Sequence, residues 1–431
     1  MNTTPEPSQY QLGIEAATVL RVGRLLMVAG SSGYRVMRAM KRTARTLGFD
    51  ALDANVGVTQ ITCTFYRGQR FRTVIAREDN PGIDASRIEA IENLTHGFDH
   101  RMTAAEINVE LDNIENFVVK RWKPWILAIA AGMACASFAI LNLFGWWQAA
   151  LVALAAACGQ LTRSFFIHRH FNQLGCVSGA AAVAALSFFG MASVVGAVVP
   201  AAPENLSAAY VAAVLFVVPG FPLFSAMIDL ARFDFDAGVA RLAYAAVVTF
   251  TATFAVAMIS WFTGLNPEPE LRDPTTGWYV AAAGASLIGI CGFALLFNCS
   301  RRMILVAASV GMVANMIRFG LLAAGANQFF ALFAAGLIIG VLGGYLAQWQ
   351  HLPRVTTTVP ASVILIPGVS LFRGMYYLND GNMNEWLAHT ATAVMAILAI
   401  ATGLTVARML TDDAWTFGRT IDFETWQRNH S

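Results

Sequence analysis

From Trp125 to about residue 410 the chain is a succession of apolar stretches with almost no charge inside them, and this feature dictates the class of fold. A helix needs roughly 20 apolar residues to cross the hydrocarbon of a bilayer. In lipid, its backbone polar groups must be satisfied within the segment. Ten stretches are read as spans, at 125–144, 146–162, 176–199, 207–228, 239–262, 278–297, 303–324, 329–349, 359–378 and 386–410, the second being the shortest. The 431-residue chain is 56% hydrophobic and 13% charged, with a mean hydropathy of +0.55, whereas a soluble domain carries roughly 25% charged residues. The deficit begins only at Trp125; residues 1–123 hold Lys, Arg, Asp and Glu in ordinary number. The expected fold class is therefore a membrane all-α domain of ten transmembrane helices, behind a small α+β N-terminal domain.

The remaining composition narrows the function classes. A net charge of +2 gives no electrostatic reason to expect a nucleic-acid partner. Met1 to Pro7 lacks a basic region followed by an apolar core, so no signal peptide is expected. The six cysteines form no C-x-x-C pair, which speaks against a disulfide framework or a zinc site. Neither a metal nor a cofactor is expected. No G-x-S-x-G, P-loop or H-E-x-x-H motif points to an enzyme.

Basic residues orient the spans. Lys120-Arg121-Trp122-Lys123 precedes the first span, and every second loop thereafter is basic: Arg163 and Arg169, Arg232 and Arg241, Arg301 and Arg302, Arg354, then Arg408 and Arg419. In the opposite loops the one basic residue is Arg272, set among Glu268, Glu270 and Asp273. By the positive-inside rule, both termini are expected to face the cytoplasm; the expected location of this multi-pass protein is the cell inner membrane.

Within residues 1–123, Gly13 to Leu47 reads as two helices jointed at Gly30-Ser31-Ser32-Gly33. Asn55 to Tyr66 alternates as a strand, and Arg70 to Ala76 returns as its hairpin partner. Asp84-Ala85-Ser86-Arg87 opens a helix, and Thr103-Ala104-Ala105-Glu106 is a capping box that starts another. Arg35, Arg38 and Arg42 share one helical face, which reads either as an anion or lipid-headgroup patch or as a solvated surface.

The membrane domain carries an internal duplication. Val218-Pro219-Gly220-Phe221 is matched 148 residues later by Ile366-Pro367-Gly368-Val369, and Leu223, Phe224 and Met227 by Leu371, Phe372 and Met375. Arg163 pairs with Arg318, and Asn172-Gln173 with Asn327-Gln328, at an offset of 155. Pro200 to Asn205 is the expected place for the seven residues by which the first copy is longer. Five spans per copy make the second copy lie upside down, so the domain is expected to comprise two inverted five-helix repeats. The expected divisions are 1–123, 124–262, an external linker 263–277, 278–410, and a cytoplasmic tail 411–431.

Pro removes a backbone donor and Gly loosens the chain at the same point, so both Pro-Gly spans are expected to be broken helices. Paired breaks at matching positions of two halves point to a transporter's binding site. The new helix ends near Phe221 and Val369 suit a carboxylate. Candidate substrate-binding residues are Pro219, Gly220, Phe221, Ser225, Pro367, Gly368, Ser370 and Arg373, with Ser362, and Arg318 with Asn315 one turn before it. Ionisable groups inside spans are functional candidates; Asp229 and His389 are the ones a proton-coupled carrier would use. Gly336, Gly340, Gly343 and Gly344 form a small-residue face for close helix approach, within the chain or in a homo-oligomer.

Leu25-Leu26, Gly30, Tyr34-Arg35-Val36, Met40 and Leu47-Gly48 resemble the opening signature of the threonine/serine exporter family. The strand from Val56 to Tyr66, the basic Trp-flanked approach to the first span and the two Pro-Gly spans extend the likeness over nearly the whole chain. The resemblance implies a cytoplasmic N-terminal domain, ten membrane helices, and export of small amino acids driven by the proton gradient. Some relatives are split in two, the second subunit corresponding to residues from about 278 onward, and are associated with dicarboxylate (succinate) export. The rival class is a membrane-embedded enzyme or sensor that works through its N-terminal domain.

Overall fold

Helices account for most of the chain in the computed structural model, and a single small sheet for the rest of its regular structure. The structure describes residues 9–78, 82–118, 121–199, 206–268, 273–417 and 421–423. Residues 200–205, Lys120, Arg272 and Arg419, on which expectations above fall, lie outside the described residues. Two compact units emerge. One comprises Met1–Arg121, Ser225–Leu242 and Asp413–Ser431, the other Trp122–Phe224 and Ala243–Asp412.

The first unit opens with α1 (Gln9–Val28) and α2 (Gly33–Thr46), jointed at Gly30 to Ser32 as expected. β1 (Ala51–Val56), β2 (Gln60–Arg67) and β3 (Arg70–Arg77) form an antiparallel sheet in that order, with Leu52 opposite Phe65 and Val56 opposite Ile61. The run read as one strand from Asn55 to Tyr66 is thus two strands. Gly57 to Thr59 turns between them, and the Gly57 N–H donates to the Gln60 carbonyl at 2.8 Å. α3 (Ala85–His96) is capped by Asp84, whose carboxylate accepts from the Arg87 N–H. α4 (Ala104–Phe117) begins with the reciprocal Thr103–Glu106 capping box. Leu26, Met40, Phe49, Ile61, Phe65 and Ile88 make the core. Arg21 pairs with Asp112 at 2.6 Å and with Glu115, tying α1 to α4.

Eight helices are long and apolar enough to cross a membrane, ten if each of two bent pairs is one span. The eight are α5 (Pro124–Leu141), α6 (Trp146–His168), α7 (Gln173–Val198), α10 (Phe235–Thr263), α11 (Thr276–Leu296), α12 (Arg301–Ala323), α13 (Gln328–Trp349) and α16 (Met383–Thr411). One bent pair joins Tyr210–Val217, which contains α8 (Tyr210–Ala213), to α9 (Gly220–Leu230) at 58°. The other joins α14 (Arg354–Val363) to α15 (Gly368–Asn379) at 53°. A last short helix, α17 (Asp413–Thr416), follows α16. The second span is not short: α6 continues six residues past Thr162, so Arg163 lies inside the helix and not in the loop after it.

Helix boundaries repeat at the spacings seen in the sequence. α6 and α12 begin 155 residues apart, as do α7 and α13; α9 and α15 begin 148 apart, as do α10 and α16. The paired Asn172 and Asn327 are both N-caps, each accepting at 2.8 Å from the N–H two residues on. Left-handed residues that end helices also recur in pairs: Leu143 with Asn298, His170 with Gly325, and Phe233 with Gly381.

Without a hydrophobic drive between helices in lipid, close packing of small residues takes its place. The Gly336 face receives α16 of the same chain: a Cβ at Gly336 would stand 2.5 Å from the Ile400 carbonyl oxygen. α5 and α11 meet likewise, where a Cβ at Gly292 would stand 2.5 Å from the Ala130 carbonyl oxygen.

Candidate functional site

Each break is built by the same four backbone hydrogen bonds. Ahead of the first, Val217 and Val218 N–H groups donate three residues back, to Val214 and Leu215, tightening the helix into a 3-10 turn. Pro219 then bends the chain, so that the Gly220 N–H donates to the Val218 carbonyl at 2.8 Å, and Leu223 donates to Pro219 as α9 begins. The second break repeats this with Leu365 to Ser362, Ile366 to Val363, Gly368 to Ile366 and Leu371 to Pro367. Pro367, at φ −77° and ψ 55°, is the centre of an inverse γ-turn.

The two breaks cross each other. A Cβ on Gly220 would stand 2.6 Å from Ile366 Cδ1 and 3.2 Å from Val363 Cγ2; one on Gly368 would stand 2.6 Å from Leu215 Cδ2. Leu215 and Val363 are equivalent positions of the two copies, so the contact is reciprocal. Glycine lets each backbone lie against the other copy's side chains, which a Cβ at either point would force to shift.

A helix end leaves its first N–H groups without intrahelical partners. Here Gly220 and Gly368 use theirs in the turns, and Pro222 has none. Among the described residues, the N–H groups of Phe221 in α9 and of Val369 and Ser370 in α15 have no partner. Phe221 and Val369 are buried, and the Phe221 ring packs edge-on against Phe297 at 5.5 Å. A buried backbone donor left unmatched is costly, so these groups suit an anionic ligand group at the positive ends of the two half-helices. The second end offers two donors and the first only one.

The remaining candidates fall at equivalent positions that carry unlike chemistry. Ser225 and Arg373 are 148 residues apart. Ser225 is fully buried, and its hydroxyl has no partner among the described residues. Arg373 turns to the segment after α10, its Nε donating to the Pro267 carbonyl at 3.2 Å. Asp229 corresponds to Tyr377, and Arg241 to His389. In the first copy, buried Asp229 pairs with Arg241 at 2.9 Å, and Arg241 also donates to the Ser31 carbonyl at 2.9 Å. In the second, the Tyr377 and His389 rings stack at 5.4 Å, and the Tyr377 hydroxyl donates to Glu268. Arg241 was read from the sequence only as an orienting basic residue of a loop, whereas it lies inside α10, and Tyr377 was not singled out. The offset applied to Asp229 and His389 would have found both as site residues.

Arg318 and Asn315 belong to a different chain of contacts. Arg318 Nε donates to Asn315 Oδ1 at 2.9 Å, and Asn315 Nδ2 donates to the Ser286 hydroxyl at 2.8 Å, tying α12 to α11. Gln160 and Arg163 stand at the matching positions of the first copy. Ser362 donates back to the Thr358 carbonyl within α14. A separate groove of about 510 Å³, lined by Ile129, Met133, Trp146, Leu154 and Ile288 among others, is apolar and outward-facing. It suits an acyl chain and contains none of the break residues.

A family model described as "Putative threonine/serine exporter" matches residues 17–262, and a second, "Threonine/Serine exporter, ThrE", matches residues 283–410. The chain belongs to the threonine/serine exporter family. Its relatives carry the names of transporters and not of enzymes, so this is a multi-pass membrane transporter. A protein of Escherichia coli (strain K12) named "Probable succinate transporter subunit YjjP" is 24% identical over 250 residues, 57% of this chain and 94% of that protein. Its namesake in Klebsiella aerogenes is 25% identical over 244 residues, 56% of this chain and 91% of that protein. A "Probable threonine/serine exporter" of Mycobacterium tuberculosis is 26% identical over 136 residues, 30% of this chain and 25% of that protein. No solved structure matches the chain.

Proposed function

We propose that the protein exports threonine, serine or a closely related small carboxylate by alternating access about the two crossed Pro-Gly breaks. The observation that carries this reading is the reciprocal crossing at Gly220 and Gly368, beside buried N–H groups on Phe221 and Val369. The substrate carboxylate binds at these half-helix ends, with Ser225 and Ser370 supplying hydroxyls and Pro219 and Pro367 holding the ends open. Recurrent helix boundaries and an odd number of spans per copy support two inverted five-helix repeats. The basic loops support cytoplasmic termini in the inner membrane.

Export is coupled to protons in this reading, through Asp229 or His389. Asp229 is paired with Arg241 and His389 stacked on Tyr377, each pair braced from outside its own repeat by Ser31 or by Glu268. Succinate is the second reading, favoured by the relative named a succinate transporter subunit, of which 94% is covered.

Uptake of labelled threonine, serine and succinate into proteoliposomes, with and without a pH gradient, tests both. Wild type is expected to accumulate one class faster when protons flow the other way. Replacing Pro367 and Gly368 together by alanine is expected to abolish accumulation while leaving insertion intact. Failure to move any of the three solutes under either condition would overturn the assignment.

A further inference from the structure

We propose that α2 and the α9–α10 corner of the first unit form a binding site for a phosphate-bearing anion, centred on Arg38, Arg42 and Arg232. Two guanidinium groups converge on one tyrosine ring: Arg232 lies 3.8 Å and Arg38 5.4 Å from the centre of Tyr34, and Arg38 also donates to its hydroxyl at 2.6 Å. One turn further along α2, Arg42 Nη1 lies 3.2 Å from His96 Nδ1. Trp415 also neighbours Arg232, its ring 5.5 Å from the guanidinium and its carbonyl accepting from Arg232 Nη1 at 3.4 Å.

The acids needed to neutralise this cluster are engaged elsewhere or missing. Glu92 is taken by Arg35, whose Nη1 reaches both carboxylate oxygens at 2.6 and 2.8 Å. Among the described residues, no carboxylate lies within ion-pair distance of Arg38, Lys41, Arg42 or Arg232. Burial and the neighbouring Arg38 push the Arg42 guanidinium down to about 10. A merely solvated face would not hold its cations against such a cost, whereas a bound anion would offset it. Arginine forks match the oxygens of a phosphate two at a time.

Position narrows the source. Arg232 sits in the corner between two spanning segments and Trp415 just beyond the end of α16, which is where the headgroups of a bilayer lie. A lipid phosphodiester and a soluble phosphate share the chemistry, and the test separates them. This site is independent of the substrate that the membrane helices carry.

The test uses purified full-length protein. One arm measures equilibrium binding of radiolabelled inorganic phosphate in neutral detergent, and the other retention of phosphatidylglycerol over phosphatidylcholine from mixed nanodiscs. Wild type is expected to bind in at least one arm, phosphate alone indicating a soluble ligand and phosphatidylglycerol alone a headgroup. Arg42→Gln and Arg232→Gln are each expected to weaken binding about tenfold, as loss of a charge-assisted contact does, while Arg301→Gln binds as wild type. In chloride without phosphate, Arg42→Gln should melt no lower than wild type, because like-charge crowding has been relieved; a merely structural arginine would lower it. Should Arg42→Gln fail to fold, Arg38→Gln reads the same site. No binding in either arm, or equal binding by Arg42→Gln and Arg301→Gln, overturns the proposal.

Discussion

Arg241 and His389 occupy the same place in two copies of one structure, yet one is a buried ion-pair partner and the other stacks on a tyrosine. The Asp229–Arg241 pair is almost wholly buried, at 0% and 5% side-chain exposure. Two charges taken out of water are tolerable together and not apart. Arg241→Gln or Asp229→Asn alone is therefore expected to destabilise the protein by about 3–5 kcal/mol. The double variant should recover most of that loss, because no unpaired charge remains. Thermal unfolding of the detergent-solubilised protein, read as a double-mutant cycle, checks this; additive single effects would contradict it. Residue-scale features of this kind were only half legible. Asp229 was visible as a carboxylate at the inner end of the fourth span and His389 as a titratable group within the tenth. Their partners were not, because equivalent positions carry different residue types and the Ser31 contact joins residues 210 apart in the chain.

At the scale of elements, local signals were legible and silent ones were not. Pro-Gly announced both breaks, and Thr103 with Glu106 announced a capping box, whereas Asn172 and Asn327, noticed only as landmarks of the repeat, prove to be N-caps. The turn at Gly57 to Thr59 passed unnoticed because Val58 and Thr59 favour strands as strongly as their neighbours do. Hydropathy cut α6 short at Thr162, although the helix runs on with Arg163 inside it. The most consequential contacts that the sequence did not announce are those of Leu265 to Glu268, within the expected external linker. Ser260, which accepts from Tyr210, donates to the Leu265 carbonyl at 2.5 Å. Arg373 holds the Pro267 carbonyl, and Tyr377 holds Glu268. The segment is therefore strapped to both bent pairs, through Tyr210 on one and Arg373 with Tyr377 on the other. Tyr377→Phe removes a hydrogen bond to a charged group, worth about 1.5–3 kcal/mol. It is expected to raise amide hydrogen exchange at residues 264–268 several-fold while leaving α13 unchanged. Unaltered exchange there would show that the strap is held by other means.

At the scale of the whole molecule, the duplication and the family matches bear on how the chain can be divided. The two family models leave a gap between residues 262 and 283, which contains the link from α10 to α11. A relative that 57% of this chain covers almost completely is itself named a subunit. A cut placed between the end of α10 at Thr263 and the start of α11 at Thr276 leaves both helices whole. The surfaces that would rejoin the halves are specific: Gly292 against Ala130, Gly289 against Ser137, the Trp278 indole donating to the Ile140 carbonyl at 2.8 Å, and the crossed breaks themselves. Co-expressed as residues 1–272 and 273–431, the halves are expected to co-purify through an affinity tag on either one. They should also restore the transport of the intact chain. Gly292→Leu in the second half should abolish co-purification, because a large side chain would separate α11 from α5 at the point of backbone contact. Neither half alone should transport, since each holds only one of the two breaks. Transport by residues 1–272 alone would mean that the second break is dispensable, and the reading of a site shared between two crossed breaks would fall with it.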